Sequence, residues 1–168
     1  SEHGVAVLDL PLHLPRGLRD SDDAIVIASA DAAVAVLLRS NGTQPWLAST
    51  FATLCHRTGN AFVHLLGDPS PAIRARVASA CGLLLAASSD AWSAALQNDM
   101  LTALRLRIRD PDELVRVAAV THLWSASEAV LGTVKAVEKS ALLLELLLDP
   151  RAAVRDQADR AATALRAK

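Results

Sequence analysis

Apolar residues recur along this chain at three- and four-residue steps, the spacing that lines one face of an α-helix. Leu54 to Leu66, Leu96 to Ile108 and Lys135 to Leu148 are leucine-rich stretches of this kind. Each is followed, after a short polar corner, by a second periodic stretch. Ile73, Val77, Ala80, Cys81 and Leu84 make one apolar face, and Val115, Ala118, Ala119, His122 and Leu123 a second. Val154, Ala158, Ala161, Ala162 and Leu165 make a third. The pattern predicts second helices near 22–39, 71–87, 112–125 and 151–166. Breaks at Ser40-Asn41-Gly42-Thr43, Ser88-Ser89-Asp90 and Ser125-Ala126-Ser127 separate one unit from the next. Pro11, Pro15 and Gly17 interrupt the opening stretch, so its helix is weak and starts after Pro15 or is bent.

The corner between the two helices is itself a repeat. Asp68-Pro69, Asp110-Pro111 and Asp149-Pro150 are each followed, after three residues, by a β-branched residue and an arginine: Ile73-Arg74, Val115-Arg116 and Val154-Arg155. A degenerate copy, Asp20 to Val26, keeps the aspartate and the β-branched Ile25 but lacks both the proline and the arginine. The residue before a proline is pushed out of helical geometry, which ends the first helix. The aspartate can accept hydrogen bonds from the free amides that open the next helix, where a proline loses nothing. The β-branched residue then faces the core one turn in. The arginine runs along the edge, within reach of the aspartate of its own or a neighbouring unit. Asp68, Asp110, Asp149 and Arg155 are therefore expected in a structural ladder down the inner corners.

The copies start 48, 42 and 39 residues apart, and periods of roughly 40 are those of two-helix repeats. Such a unit cannot bury its apolar face alone and needs neighbours. The expected fold is all-α: an α-solenoid of about four helix pairs, spanning roughly 5–40, 45–87, 95–125 and 134–167 within a single domain of residues 1–168. The non-Met start and a last helix still amphipathic at Lys168 suggest an excised piece of a longer array.

Composition agrees with helix. Apolar residues are 52% of the chain and aromatic residues only 3%, which leaves Ala, Leu and Val to fill close helix contacts. Trp46, Trp92 and Trp124 fall near junctions and are expected as wedges. No apolar run is long enough to span a bilayer, so a soluble intracellular protein with no membrane partner is expected. Two cysteines make no disulfide framework; Cys55 and Cys81 read as small buried hydrophobes.

Candidate chemistry is sparse. Cys55 and His56 are helix neighbours pointing about 100° apart, unsuited to a thiolate–imidazole pair, and with His64 they lack zinc spacing. Asp110, Asp112 and Glu113 suit helix capping better than acid–base work. No catalytic residue, cofactor or metal is expected. A net charge of −1 is no general attractor for nucleic acid. Arg105 and Arg109 share one helix face and, with Arg74, Arg76 and Arg116, form a candidate basic ridge for a partner. Its occupant is expected to be a peptide or helix of another protein, lying in the curved groove. A nucleic-acid backbone is the alternative, though no aromatic side chains interleave the arginines for base stacking.

The Asp-Pro…Val-Arg signature resembles HEAT repeats, with three copies from Thr58 to Lys168. A finer resemblance runs through Phe62 to Asp68, Ile73-Arg74 and Leu104 to Arg116: a degenerate repeat, then a basic stretch ending in an Asp-Pro-acid-acid turn. This is similar to the cohesin-associated regulators of sister-chromatid cohesion. That resemblance implies a nuclear scaffold, contacting cohesin's kleisin subunit and its release factor. The abundance of Ala, the scarcity of aromatic residues and the short chain depart from that pattern, so no partner-binding residue is carried over.

Overall fold

A computed structural model describes residues 16–39, 48–87, 93–124 and 136–166. Its helices are α1 (Asp23–Arg39), α2 (Ala48–Leu65), α3 (Pro71–Ala87), α4 (Ala94–Leu106), α5 (Glu113–Leu123), α6 (Ala136–Leu147) and α7 (Ala152–Arg166). A 3₁₀ turn, Arg107–Arg109, tightens the end of α4, where an uninterrupted helix to Ile108 was expected. Among the described residues there is no strand, and the fold is all-α. Trp46, Trp92, the three Ser- and Gly-containing breaks and the opening stretch before Arg16 lie outside the described residues.

The helices pack as pairs, α2 with α3, α4 with α5 and α6 with α7. Second helices also lie side by side, α1 on α3, α3 on α5 and α5 on α7, while α2 packs on α4. The second helices thus rest on their neighbours one unit away, as the repeat spacing requires. Ile73, Val77, Ala80, Cys81 and Leu84 are all buried, as are Val115, Val154, Ala158 and Ala161. One continuous apolar cluster runs from Leu18 to Ala161. Cys55 and Cys81 are free thiols within it, and burial pushes the Cys55 thiol up to about 11.

The degenerate first copy behaves differently. Ile25, expected to face the core, is 44% exposed, whereas Val26 is only 2% exposed. Val26 stands in the register of Arg74, Arg116 and Arg155, so methyl groups fill the place where the later copies put a guanidinium. The corner itself survives without its proline: Asp20 Oδ1 accepts the Asp22 amide at 2.9 Å, and Asp22 Oδ1 accepts the Ala24 amide at 2.8 Å.

At the α3–α5 contact the backbones come close enough to exclude a side chain. A Cβ built on Gly82 would lie 2.0 Å from His122 Cβ and 3.0 Å from its Cα. Glycine is required here by the approach of the neighbouring helix.

Candidate functional site: the corner ladder and the charged helix faces

Every aspartate–proline corner has the same local design. The aspartate Oδ1 accepts the backbone N–H two residues on: Ser70 to Asp68 at 2.8 Å, Asp112 to Asp110 at 3.0 Å, Arg151 to Asp149 at 2.8 Å. This ties the corner shut just before the second helix starts. Asp112 then caps α5, accepting from Leu114 at 2.9 Å and Val115 at 3.4 Å.

The arginine six residues after each aspartate folds back over its own corner. Arg74 Nη1 donates to the carbonyls of Asp68 and Pro69 at 2.8 and 2.9 Å. Arg116 Nη1 does the same to Asp110 and Pro111 at 2.9 and 3.1 Å. Arg155 repeats it to Asp149 and Pro150 at 2.7 and 3.0 Å. These carbonyls lie in the corner between the two helices and have no intrahelical donor, so each arginine ties down the corner from which its own helix starts.

The other edge of the guanidinium reaches one unit forward. Arg74 Nε and Nη2 grip both oxygens of Asp110 at 2.9 and 2.7 Å. Arg116 Nε and Nη2 grip Asp149 at 2.8 and 3.0 Å. Planar, two-point pairing of this kind is a property of arginine that lysine cannot reproduce. The Arg74 and Asp110 side chains are 10% and 0% exposed, the Arg116 and Asp149 side chains 11% each. Arg107 Nη1 adds a second cation to Asp110 at 3.1 Å.

Burial by itself would raise the pKa of Asp110 and of Asp149, since it penalises the charged form. The arginine contacts and the amide donors outweigh it, and both carboxyls are held below the usual aspartate range. Glu145 is lowered as well, chiefly by its hydrogen bond from Arg109. His122, half-buried on α5, is lowered by burial alone.

The five arginines proposed as a ridge do not share one surface. Arg74 and Arg116 sit inside the ladder, with both edges of each guanidinium filled from within the chain. Arg76 is exposed and pairs with Asp31 of α1. Arg109, whose side chain is 67% exposed, donates to both Glu145 oxygens at 2.6 and 2.7 Å. Arg105 is partly buried on α4. Most of the positive charge is thus matched by acids from a neighbouring unit. These partners had a sequence signal: Arg109 and Glu145 lie 36 residues apart, the same interval as Arg74 and Asp110. Opposite charges one repeat apart mark inter-unit pairs.

Beside Arg76 and Asp31, a half-open cleft of about 160 Å³ lies between α1 and α3, floored by Val34, Ala80 and Leu83. Trp124 is buried, with its Nε1 lacking a hydrogen-bond partner. His56 is exposed and pairs with Asn60, not with Cys55. Among the described residues no three His, Cys, Asp or Glu side chains are grouped to hold a metal, and no helix is long and apolar enough to cross a membrane.

Helix pairs stacked on their sequence neighbours and clamped at aspartate–proline corners by arginine define a HEAT-like helical repeat protein. The chain belongs to the family of the sister chromatid cohesion protein PDS5, whose family model matches residues 21–165. No curated protein matches the chain.

Proposed function

We propose that this chain is a non-catalytic scaffold that holds protein partners in the service of sister chromatid cohesion, in the nucleus. The observation that carries it is the family match, which takes in every helix from α1 to the last turn of α7. The ladder supports the same reading: two buried bidentate ion pairs fix the angle between successive helix pairs, and a binding surface built from several units needs a fixed geometry. The partners we assign are cohesin's kleisin subunit and its release factor, as a peptide or helix lying in the groove of the repeat stack. Arg76 and Arg109 are the most solvent-accessible of the arginines placed on this face on sequence grounds. Their acidic partners are exposed too, and exposed pairs exchange readily for a competing acid. A nucleic-acid reading is less well supported: two of the arginines it needs, Arg74 and Arg116, are enclosed in the ladder, the net charge is −1, and the family match points to cohesion proteins.

The test is capture from nuclear extract by the immobilised chain, read by blotting for the kleisin. Capture should be retained at the salt concentration of the extract and lost on Arg76→Gln with Arg109→Gln, at unchanged melting temperature. No kleisin with the unaltered chain, or full capture by the double variant, contradicts the proposal.

A further inference from the structure

The junction between α1 and α3 departs from the one between α3 and α5 in two respects. The first is space. At the later junction Gly82 meets His122 in close contact. Val26 is in the register of Arg74, and Arg74 in that of Arg116, so the matching pair one unit earlier is Val34 on α1 and Ala80 on α3. A methyl group thus stands where α5 has an imidazole. Val34 and Ala80, both buried, form the floor of the half-open cleft of about 160 Å³ between these helices. Leu83 stands at its edge and is 44% exposed. Because α3 is flanked by α1 and α5, that exposure belongs to the free face of the helix row.

The second departure is charge. Asp31 and Arg76 line the cleft, whereas the same positions one unit later are Ser79 and Ala118. Arg76 Nε donates to Asp31. Among the described residues nothing accepts from Arg76 Nη1 or Nη2, and its side chain is 51% exposed. The Ser79 hydroxyl donates to the Ala75 carbonyl at 3.2 Å. Size and charge together select an occupant. An apolar cavity of about 150 Å³ takes up one benzene ring, so the cleft has room for one aromatic side chain. The outer edge of the guanidinium offers two parallel N–H groups, the sign and geometry that suit a carboxylate. The pair with Asp31 need not open to make that contact.

We propose that this cleft is a docking pocket for a phenylalanine of a partner protein with an acidic residue beside it, the ring on Val34, Ala80 and Leu83 and the carboxylate on Nη1 and Nη2 of Arg76. The choice of a protein as occupant rests on the scaffold reading; the pairing of ring and carboxylate rests on the cleft alone.

The whole chain, labelled with ¹³C at leucine and valine methyls and with ¹⁵N at arginine, is titrated with four dipeptides blocked at both ends: Phe-Glu, Phe-Gln, Phe-Lys and Ala-Glu. The Leu83 methyl and Arg76 Nε–H resonances, identified by their loss in Leu83→Met and Arg76→Lys, are followed. Both should respond to Phe-Glu at a concentration at least about three-fold lower than to any of the other three. Arg76→Gln should make Phe-Glu and Phe-Gln equivalent at Leu83. Ala35→Leu, at an exposed position on the cleft wall, should abolish the response to Phe-Glu. Equal midpoints for Phe-Glu and Ala-Glu, or for Phe-Glu and Phe-Gln, overturn the proposal, as does a full response in Ala35→Leu. A preference for Phe-Lys puts the contact on Asp31 and overturns it too. Resonances that shift on raising the protein concentration alone put a second copy in the cleft and overturn the assignment to a partner. Failure of kleisin capture with the dipeptide preference intact would refute the functional reading and leave the pocket standing.

Discussion

Asp110 is a carboxylate with no exposed side-chain surface, gripped by Arg74 through two hydrogen bonds and touched by Arg107 through a third. Removing one partner of such a buried pair leaves the other charge desolvated and unmatched, at about 3–5 kcal/mol. Asp110→Asn should therefore lower the free energy of unfolding in urea by that amount; a loss under about 1 kcal/mol would mean that the pair contributes little. Acidity gives a second handle. Asp110, Asp149 and Glu145 have folded-state values below their ordinary ones. Their contribution is present above the unfolded carboxylate range and is lost as the pH falls through the folded values. His122 acts in the same direction but earlier. Burial disfavours its charged form, so stability falls as the pH drops below 6.5, the ordinary histidine value, toward the lowered folded value. Stability measured from pH 7.5 to 3 should decline in two stages, with the first absent in His122→Gln. A flat profile down to pH 4.5 in the unaltered chain would contradict the histidine stage.

At the scale of the helix, the α3–α5 contact decides between two opposing tendencies. Alanine is favoured over glycine inside a helix by roughly 1 kcal/mol, yet a methyl on Gly82 would overlap His122 Cβ at 2.0 Å. The overlap involves a Cβ and a backbone Cα, neither of which can swing away, so the helices must part. Gly82→Ala should destabilise by about 1–3 kcal/mol, and His122→Ala should not rescue it, because the offending Cβ remains. A stabilised Gly82→Ala in thermal melts would show that the two helices are further apart than described. By contrast Leu84 and Leu123, both buried, fill space, and truncation to Ala at either should cost about 2–5 kcal/mol. The helices and their corners were legible in the sequence because periodicity and the Asp-Pro break are local signals. Gly82 was not, because its requirement comes from a residue 40 positions away. Nor was the exposure of Ile25: by local pattern it matches Ile73, and only the packing around α1 distinguishes them. The ridge of arginines was half legible. Charge and helix face located Arg76 and Arg109, but the acids that match them arrive from neighbouring units, and sequence proximity does not reveal those.

Across the whole molecule, stability is expected to be the sum of unit terms and nearest-neighbour junctions, and the junctions are not equal. Those between α3 and α5 and between α5 and α7 each carry a two-point ion pair at the corner. The junction between α1 and α3 has Val26 where the arginine would be, and is joined instead by the exposed Arg76–Asp31 pair and by Ser70 donating to Asp23 at 2.5 Å. Amide hydrogen exchange should therefore show α3 and α5 as the most protected segment and α1 opening before them; α1 exchanging as slowly as α3 would contradict this ordering.

All of this depends on the corner pairs coupling one helix pair to the next. A double-mutant cycle on Arg74→Ala and Asp110→Ala, each variant and the pair unfolded in urea, measures that coupling directly. The buried geometry predicts an interaction energy of about 2–3 kcal/mol. Single losses that simply add, to within about 0.5 kcal/mol, would show that the ladder is an accompaniment of the stack and does not hold it together.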